Sequence, residues 1–128
     1  MKCLLDSHAL LWFVADDPHL GDKARSLMED PANELWFSVT SYWEICIKIS
    51  LGKLCLMEDW ETELDNAMER CGIRWLALKP EHAARLVPLP FHHRDPFDRI
   101  LIAQAQAEGL TIVSRDGQFA AYPVAVVW

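Results

Sequence analysis

Polar and apolar positions divide this chain into short blocks with clear punctuation. Lys2-Cys3-Leu4-Leu5 is a brief apolar run that stops at Asp6, and it reads as a buried strand. Ser7 to Ala15 (SHALLWFVA) predicts a helix capped by Asp6 or Ser7 and broken at Asp16-Asp17-Pro18. A second helical stretch covers about Gly21 to Glu29. Leu35 to Val39 is rich in aromatic and branched residues and predicts a strand. In the run from Ser41 to Leu51, Tyr42, Ile45, Cys46 and Ile49 share one helical face, and Gly52 ends it. Trp60, Leu64, Ala67, Met68 and Cys71 repeat that periodicity up to Gly72. Ile73 to Leu78 predicts a strand and Pro80 to Val87 a short helix. The segment from Pro88 is irregular. Pro96 suits the first position of a helix that runs from Phe97 to Glu108 and closes at Gly109. Leu110 to Val113 is another strand, and Val124 to Val127 is the last candidate.

Strands that alternate with helices define an α/β chain with a mostly parallel sheet. No repeat or linker divides residues 1–128, so one domain is expected. Of the residues 52 % are hydrophobic and 24 % charged, a composition that folds rather than one that stays disordered. The net charge of -7 excludes nucleic-acid binding through bulk positive charge. Any such contact needs a local patch or a bound cation. No apolar run approaches the roughly 18 residues of a membrane span, and Asp6 interrupts the first run too early for a signal peptide. A cytoplasmic location without membrane contact is the expectation. Cys3, Cys46, Cys55 and Cys71 show neither C-x-x-C spacing nor a nearby histidine partner, so no disulfide framework or zinc site is expected.

The carboxylates carry the chemistry. Asp6 and Asp116 follow predicted strands, while Glu44 and Asp98 fall in the first turns of predicted helices. In an open parallel sheet, strand C-termini and helix N-termini share one edge, where ligand crevices form. Four acids remote in sequence can therefore meet at one point. Two carboxylates ~4 Å apart repel by about 4 kcal/mol at an effective dielectric near 20, so convergence calls for a cation. Mg²⁺ and Mn²⁺ prefer oxygen ligands, and such a site suits phosphodiester hydrolysis. Each acid also has a plainer role. Asp6 caps a helix, Glu44 completes a Ser41-x-x-Glu44 capping box, Asp98 favours a helix dipole and Asp116-Gly117 makes a turn. Asp95, just before Pro96, reads as the cap of its helix.

Four elements in order resemble one known family, the PIN domain, and more closely its VapC-type toxin ribonucleases. They are LLDSHALLW (Leu4 to Trp12), SVTSYWEI (Ser38 to Ile45), HHRDPFDRILIAQA (His92 to Ala105) and IVSRD (Ile112 to Asp116). Residues 52 to 90 carry no matching motif. The resemblance implies a three-layer α/β/α sandwich around a central parallel sheet. It implies a divalent-metal-dependent endoribonuclease, the toxin of a toxin–antitoxin pair, that hydrolyses RNA with metal-activated water. The family's acids fall on Asp6, Glu44, Asp98 and Asp116, with Mg²⁺ or Mn²⁺ as the cofactor. Asp98 matches because it directly precedes Arg-Ile-Leu-Ile-Ala. Ser114 falls where a small hydroxyl residue often supports the fourth acid. A homodimer and a cognate antitoxin are implied as partners.

Other residues invite a role. Arg94, Arg99 and Arg115 surround the acids and offer contacts to RNA phosphates or pairs with local acids. Lys48 stands four residues after Glu44, the spacing of a helix ion pair. His92 and His93 read as solvated loop residues, and His8 as a partly buried one. Trp12, Trp43, Trp60 and Trp75 read as core, while the helix from Trp60 to Cys71 is the candidate oligomer or antitoxin surface. Two alternatives remain. A receiver-type signalling domain is also a small acidic α/β unit, but it needs an acidic pair after the first strand and a late lysine; no lysine follows Lys79. The other is a non-catalytic interaction module that keeps the fold.

Overall fold

The computed structural model describes residues 1–128. Five strands form one sheet: β1 (Lys2–Leu5), β2 (Glu34–Ser38), β3 (Arg74–Leu76), β4 (Thr111–Val113) and β5 (Val126–Val127). Their order across the sheet is β3-β2-β1-β4-β5, and every pairing is parallel. Receiver-type flavodoxin-like sheets run 2-1-3-4-5 instead, so the signalling alternative fails on topology.

The helices are α1 (Ser7–Val14), α2 (Asp22–Glu29), α3 (Val39–Ser50), α4 (Trp60–Arg70), α5 (Pro80–Ala84) and α6 (Pro96–Glu108), with a 3-10 turn at Gly117–Ala121. Alternate residues of β1 serve opposite layers. Cys3 and Leu5 pack with Leu10 and Phe13 of α1, Met28 of α2, Ile45 of α3 and Leu64 and Met68 of α4. Leu4 faces the other way, toward Leu101, Ile102 and Ala105 of α6 and Phe119 and Tyr122 beyond β4. A strand covered on both faces needs apolar residues at every position, which explains the unbroken Cys3-Leu4-Leu5 run. The three-layer α/β/α arrangement expected from the sequence is the one found. No helix is long and apolar enough to cross a membrane.

The helix ends obey local rules at most positions. Gly109 takes φ 68 at the end of α6, a left-handed conformation that glycine adopts without strain. Asp95 caps α6 by accepting from the N–H groups of Phe97 at 2.9 Å and Asp98 at 3.3 Å, with Pro96 in the first turn. One start differs. α3 begins at Val39, capped by Ser38, whose hydroxyl accepts from Thr40 N–H at 3.2 Å. The Ser41-x-x-Glu44 capping box therefore does not form, and Glu44 lies one turn deeper than its sequence suggests. β3 and α5 are also shorter than the patterns predict.

Tryptophan burial corrects a second expectation. Trp43 is 58 % exposed and Trp75 is 44 % exposed, so neither is a core residue. Trp12 and Trp60 are half-buried. Trp60 borders an apolar groove of about 230 Å³ with Leu11, Val14, Leu56, Met57 and Leu64. All four cysteines are free.

Candidate metal centre

β1 ends where Asp6 begins α1. Asp6 N–H continues the sheet by donating to Val113 C=O at 3.1 Å, and its carboxylate accepts from Ala9 N–H at 2.8 Å. Asp6 is therefore both cap and cleft residue. β4 ends at Val113, and Ser114 and Asp116 follow on the same sheet edge. Asp116 N–H donates to the Ser114 hydroxyl at 3.0 Å, while its carboxylate accepts from Gln118 N–H at 2.9 Å. Glu44 reaches the same edge from α3 and Asp98 from the first turn of α6. Asp6, Glu44, Asp98 and Asp116 all line one cleft of about 90 Å³, together with Asp95, Ser7, His8, Ser41 and Lys48.

The electrostatics of the cleft are those of crowded acids. Burial pushes the Asp6 carboxyl above its ordinary range, opposed chiefly by the neighbouring Ser114 hydroxyl and Ala9 N–H. Asp98 is pushed up to about 6, first by burial and then by the charge of Asp95, with Asp116 adding to it and the His93 hydrogen bond opposing. Glu44 is held from both sides. The Ser7 hydroxyl donates to its Oε1 at 2.7 Å, and Lys48 Nζ lies 3.3 Å from its Oε2. No three of the cleft carboxylates bring ligand oxygens within 4.8 Å of one another. This open set of oxygen donors fits a hard divalent ion that keeps some of its waters and takes one or two carboxylates directly.

Several residues sit elsewhere than the sequence suggests. Arg99 touches neither the cleft nor an acid. It is buried, and its guanidinium donates to Pro90 C=O at 2.7 Å, Leu89 C=O at 3.0 Å and the Tyr122 hydroxyl at 3.3 Å. Buried and fully engaged, Arg99 is no phosphate contact, contrary to the expectation from its charge. Arg94 and Arg115 are exposed. Arg115 makes no ion pair and lies 6.0 Å over the Trp12 ring, in an open groove that also contains Asp6, His8 and Asp116. His8 is exposed at the cleft rather than partly buried. His92 is solvent-exposed, as expected, with its ring against Tyr122. His93 is not a solvated loop residue: it is half-buried, with Nε2 3.1 Å from Asp98 Oδ2 and Nδ1 2.8 Å from the Tyr122 hydroxyl. Neither Tyr122 nor Ser7 carries a sequence signal for its role. Only the closeness of His93 to Asp98 in the chain hints at theirs.

A second titratable group, Glu81, His82 and Glu108, lies away from this cleft. His82 is fully buried; its Nδ1 accepts from Lys79 N–H at 3.0 Å and its Nε2 bonds Glu108 at 2.8 Å. Both ring nitrogens are occupied, so this histidine ties α5 to α6 and is no free ligand.

A parallel sheet with four acids on its C-terminal edge defines a class, and comparison gives it a name. Residues 3–125 match the PIN domain, and the chain belongs to that family. It is 30 % identical over 114 residues to Ribonuclease VapC22 of Mycobacterium tuberculosis, covering 88 % of this chain and 85 % of that one. It is 33 % identical over 63 residues to Ribonuclease VapC16 of the same organism, covering 49 % of this chain and 45 % of that one. Among solved structures, the fold is similar to a chain of VapBC2 from Rickettsia felis bound to promoter DNA. There the TM-score is 0.75 at 16 % identity, over 99 % of this chain and 98 % of that one. It is also similar to a chain of FitAcB from Neisseria gonorrhoeae, with TM-score 0.64 at 21 % identity, over 98 % and 96 % of the two chains.

Proposed function

We propose that this chain is a divalent-metal-dependent endoribonuclease, the toxin of a VapC-type toxin–antitoxin pair. The observation that carries this reading is the meeting of Asp6, Glu44, Asp98 and Asp116 in one cleft from four separate elements. Acids remote in sequence gain nothing structurally from crowding, and two of them have their ionised forms disfavoured there. Relatives that bear the name ribonuclease support the substrate class. All four acids are in place, which argues against the inactive-module alternative.

Asp6, Glu44 and Asp98 would hold Mg²⁺ or Mn²⁺, directly or through water, with Asp116 supporting that ion or a second. When bound, the cation activates water, orients the phosphate and stabilises charge on the leaving oxygen. Ser114 holds Asp116 through its N–H, and Ser7 orients Glu44. Lys48 balances part of the Glu44 charge. Arg115, unpaired beside the cleft, receives an RNA phosphate, and exposed Arg94 is a second contact. An antitoxin opposes the enzyme best by presenting a cation such as arginine to the clustered carboxylates. The groove beside α4 offers apolar surface to that partner or to a second copy of the chain.

Incubating antitoxin-free protein with total cellular RNA tests the reading. Cleavage is expected with Mn²⁺, and none with EDTA or in Asp6→Asn. Metal-independent cleavage, or full activity of a folded Asp6→Asn, overturns it. Arg115→Ala is expected to raise KM several-fold and lower the salt dependence of RNA binding by about one charge, with kcat unchanged. An unaltered salt dependence removes Arg115 from the RNA path.

A further inference from the structure

His93 and Tyr122 form a chain of hydrogen bonds whose direction can be deduced. The Tyr122 oxygen has two lone pairs and one proton. His93 N–H donates to it at 3.2 Å and Arg99 Nη1 at 3.3 Å, which uses both lone pairs. Its proton must then go outward, and the nearest acceptor is His93 Nδ1 at 2.8 Å; the His93 carbonyl stands at 3.5 Å. An Nδ1 that accepts leaves the ring proton on Nε2, which faces Asp98 Oδ2 at 3.1 Å. The sequence of donors therefore runs from Arg99 to Tyr122, to His93, to Asp98. It spans α6, the irregular segment before it and the turn after β4.

We infer that His93, aligned by Tyr122, is a positioning residue that fixes the Asp98 carboxylate for cation binding by holding Oδ2 and leaving Oδ1 for the ion. The inference rests on the proposed role of Asp98 as a ligand. A carboxylate held by an N–H donor has one orientation instead of several, and a supporting partner of this kind typically changes metal affinity by about 10–100-fold when lost. His92, its neighbour, has no part in this: its exposed ring lies edge-on to Tyr122. Tyr122 never reaches the cleft and acts only through His93.

Mn²⁺ affinity, read from the electron paramagnetic resonance of the free ion, tests this on wild type, Asp98→Asn, His93→Ala, His93→Gln, Tyr122→Phe and the His93→Ala/Tyr122→Phe pair. His93→Ala is expected to weaken binding at least about tenfold. His93→Gln, whose terminal amide puts an N–H donor near the place of Nε2, is expected to restore most of it. Tyr122→Phe is expected to weaken binding several-fold in wild type and not at all in the His93→Ala background, because the tyrosine acts through the histidine. Long-range ¹H–¹⁵N spectra of the metal-free wild type at pH 8.5 are expected to show His93 with its proton on Nε2. A proton on Nδ1, wild-type affinity in His93→Ala, or a glutamine variant as weak as alanine overturns the inference. If His93→Ala does not fold, the glutamine and phenylalanine variants decide: wild-type affinity in Tyr122→Phe overturns it. Unchanged affinity in Asp98→Asn is a different failure, since it removes Asp98 from the metal site altogether.

Discussion

Asp98→Asn is expected to melt several degrees above the wild type in EDTA at pH 7.5, and at the same temperature at pH 4. The Asp98 carboxyl is pushed up to about 6, mainly by burial, against an unfolded value of 3.8. An acid whose folded pKa is raised binds its proton more tightly in the native state. Stability is then lost as pH rises from about 4 through 6, and the penalty stays in full above that. Two units correspond to on the order of 3 kcal/mol as an upper bound. Asparagine carries no charge to desolvate and keeps a carbonyl oxygen for the His93 Nε2–H. Mn²⁺ is expected to reverse the order, because with Asp98 as a proposed ligand the wild type binds the ion more tightly and gains more stabilisation from it. RNA cleavage by the variant is expected to fall about 10²- to 10³-fold, the loss of several kcal/mol of charge stabilisation. Melting curves at four pH values, with and without Mn²⁺, check the pattern. A variant less stable than wild type at pH 7.5 in EDTA contradicts it.

Arg99→Met carries the largest expected loss of stability, about 3 kcal/mol. The guanidinium is buried without any carboxylate partner, and it is satisfied by Leu89 C=O, Pro90 C=O and the Tyr122 hydroxyl, with the Phe91 ring 4.0 Å away. Methionine fills comparable space but leaves the Leu89 and Pro90 carbonyls without the Arg99 donor, while Tyr122 keeps His93 N–H; each buried unsatisfied group costs about 1–3 kcal/mol. Arg99→Lys is expected to recover less than half, because an ammonium cannot span two carbonyls and a hydroxyl as the planar fork does. Urea unfolding measures both. A methionine variant within about 0.5 kcal/mol of wild type would show that the segment before α6 is held by something else.

These two residues, adjacent in sequence, show where reading the chain works and where it stops. Asp98 was legible because Asp95-Pro96 marks a helix start and places it in the first turn. Arg99 reads from its charge as a contact to an RNA phosphate or a local acid, although it stands three residues before Ile102 on the inner face of α6. Charge type outweighed helical period in that reading. The strands were legible where apolar runs end in acids, as at Asp6. The start of α3 was not, because Val39 and Thr40 are β-branched and extend the strand pattern, while Ser41 with Glu44 mimics a cap that Ser38 in fact provides. Trp43 and Trp75 show that size and apolarity do not reveal which face of an element is covered. The bond between His93 and Tyr122 joins positions 29 residues apart, and no local periodicity encodes such a meeting.

The register of the sheet also fixes when the cleft can exist. Cys3 of β1 pairs with Thr111 of β4, and Asp6 N–H bonds Val113, so the first and fourth acids are aligned by contacts more than one hundred positions apart. Such pairing is late in folding, because distant segments must be brought together before any contact rewards them. A chain still emerging from the ribosome holds Asp6, Glu44 and even Asp98 without the strand that sets Asp116 beside them. The cleft that gathers all four acids is thus complete only once β4 has docked beside β1.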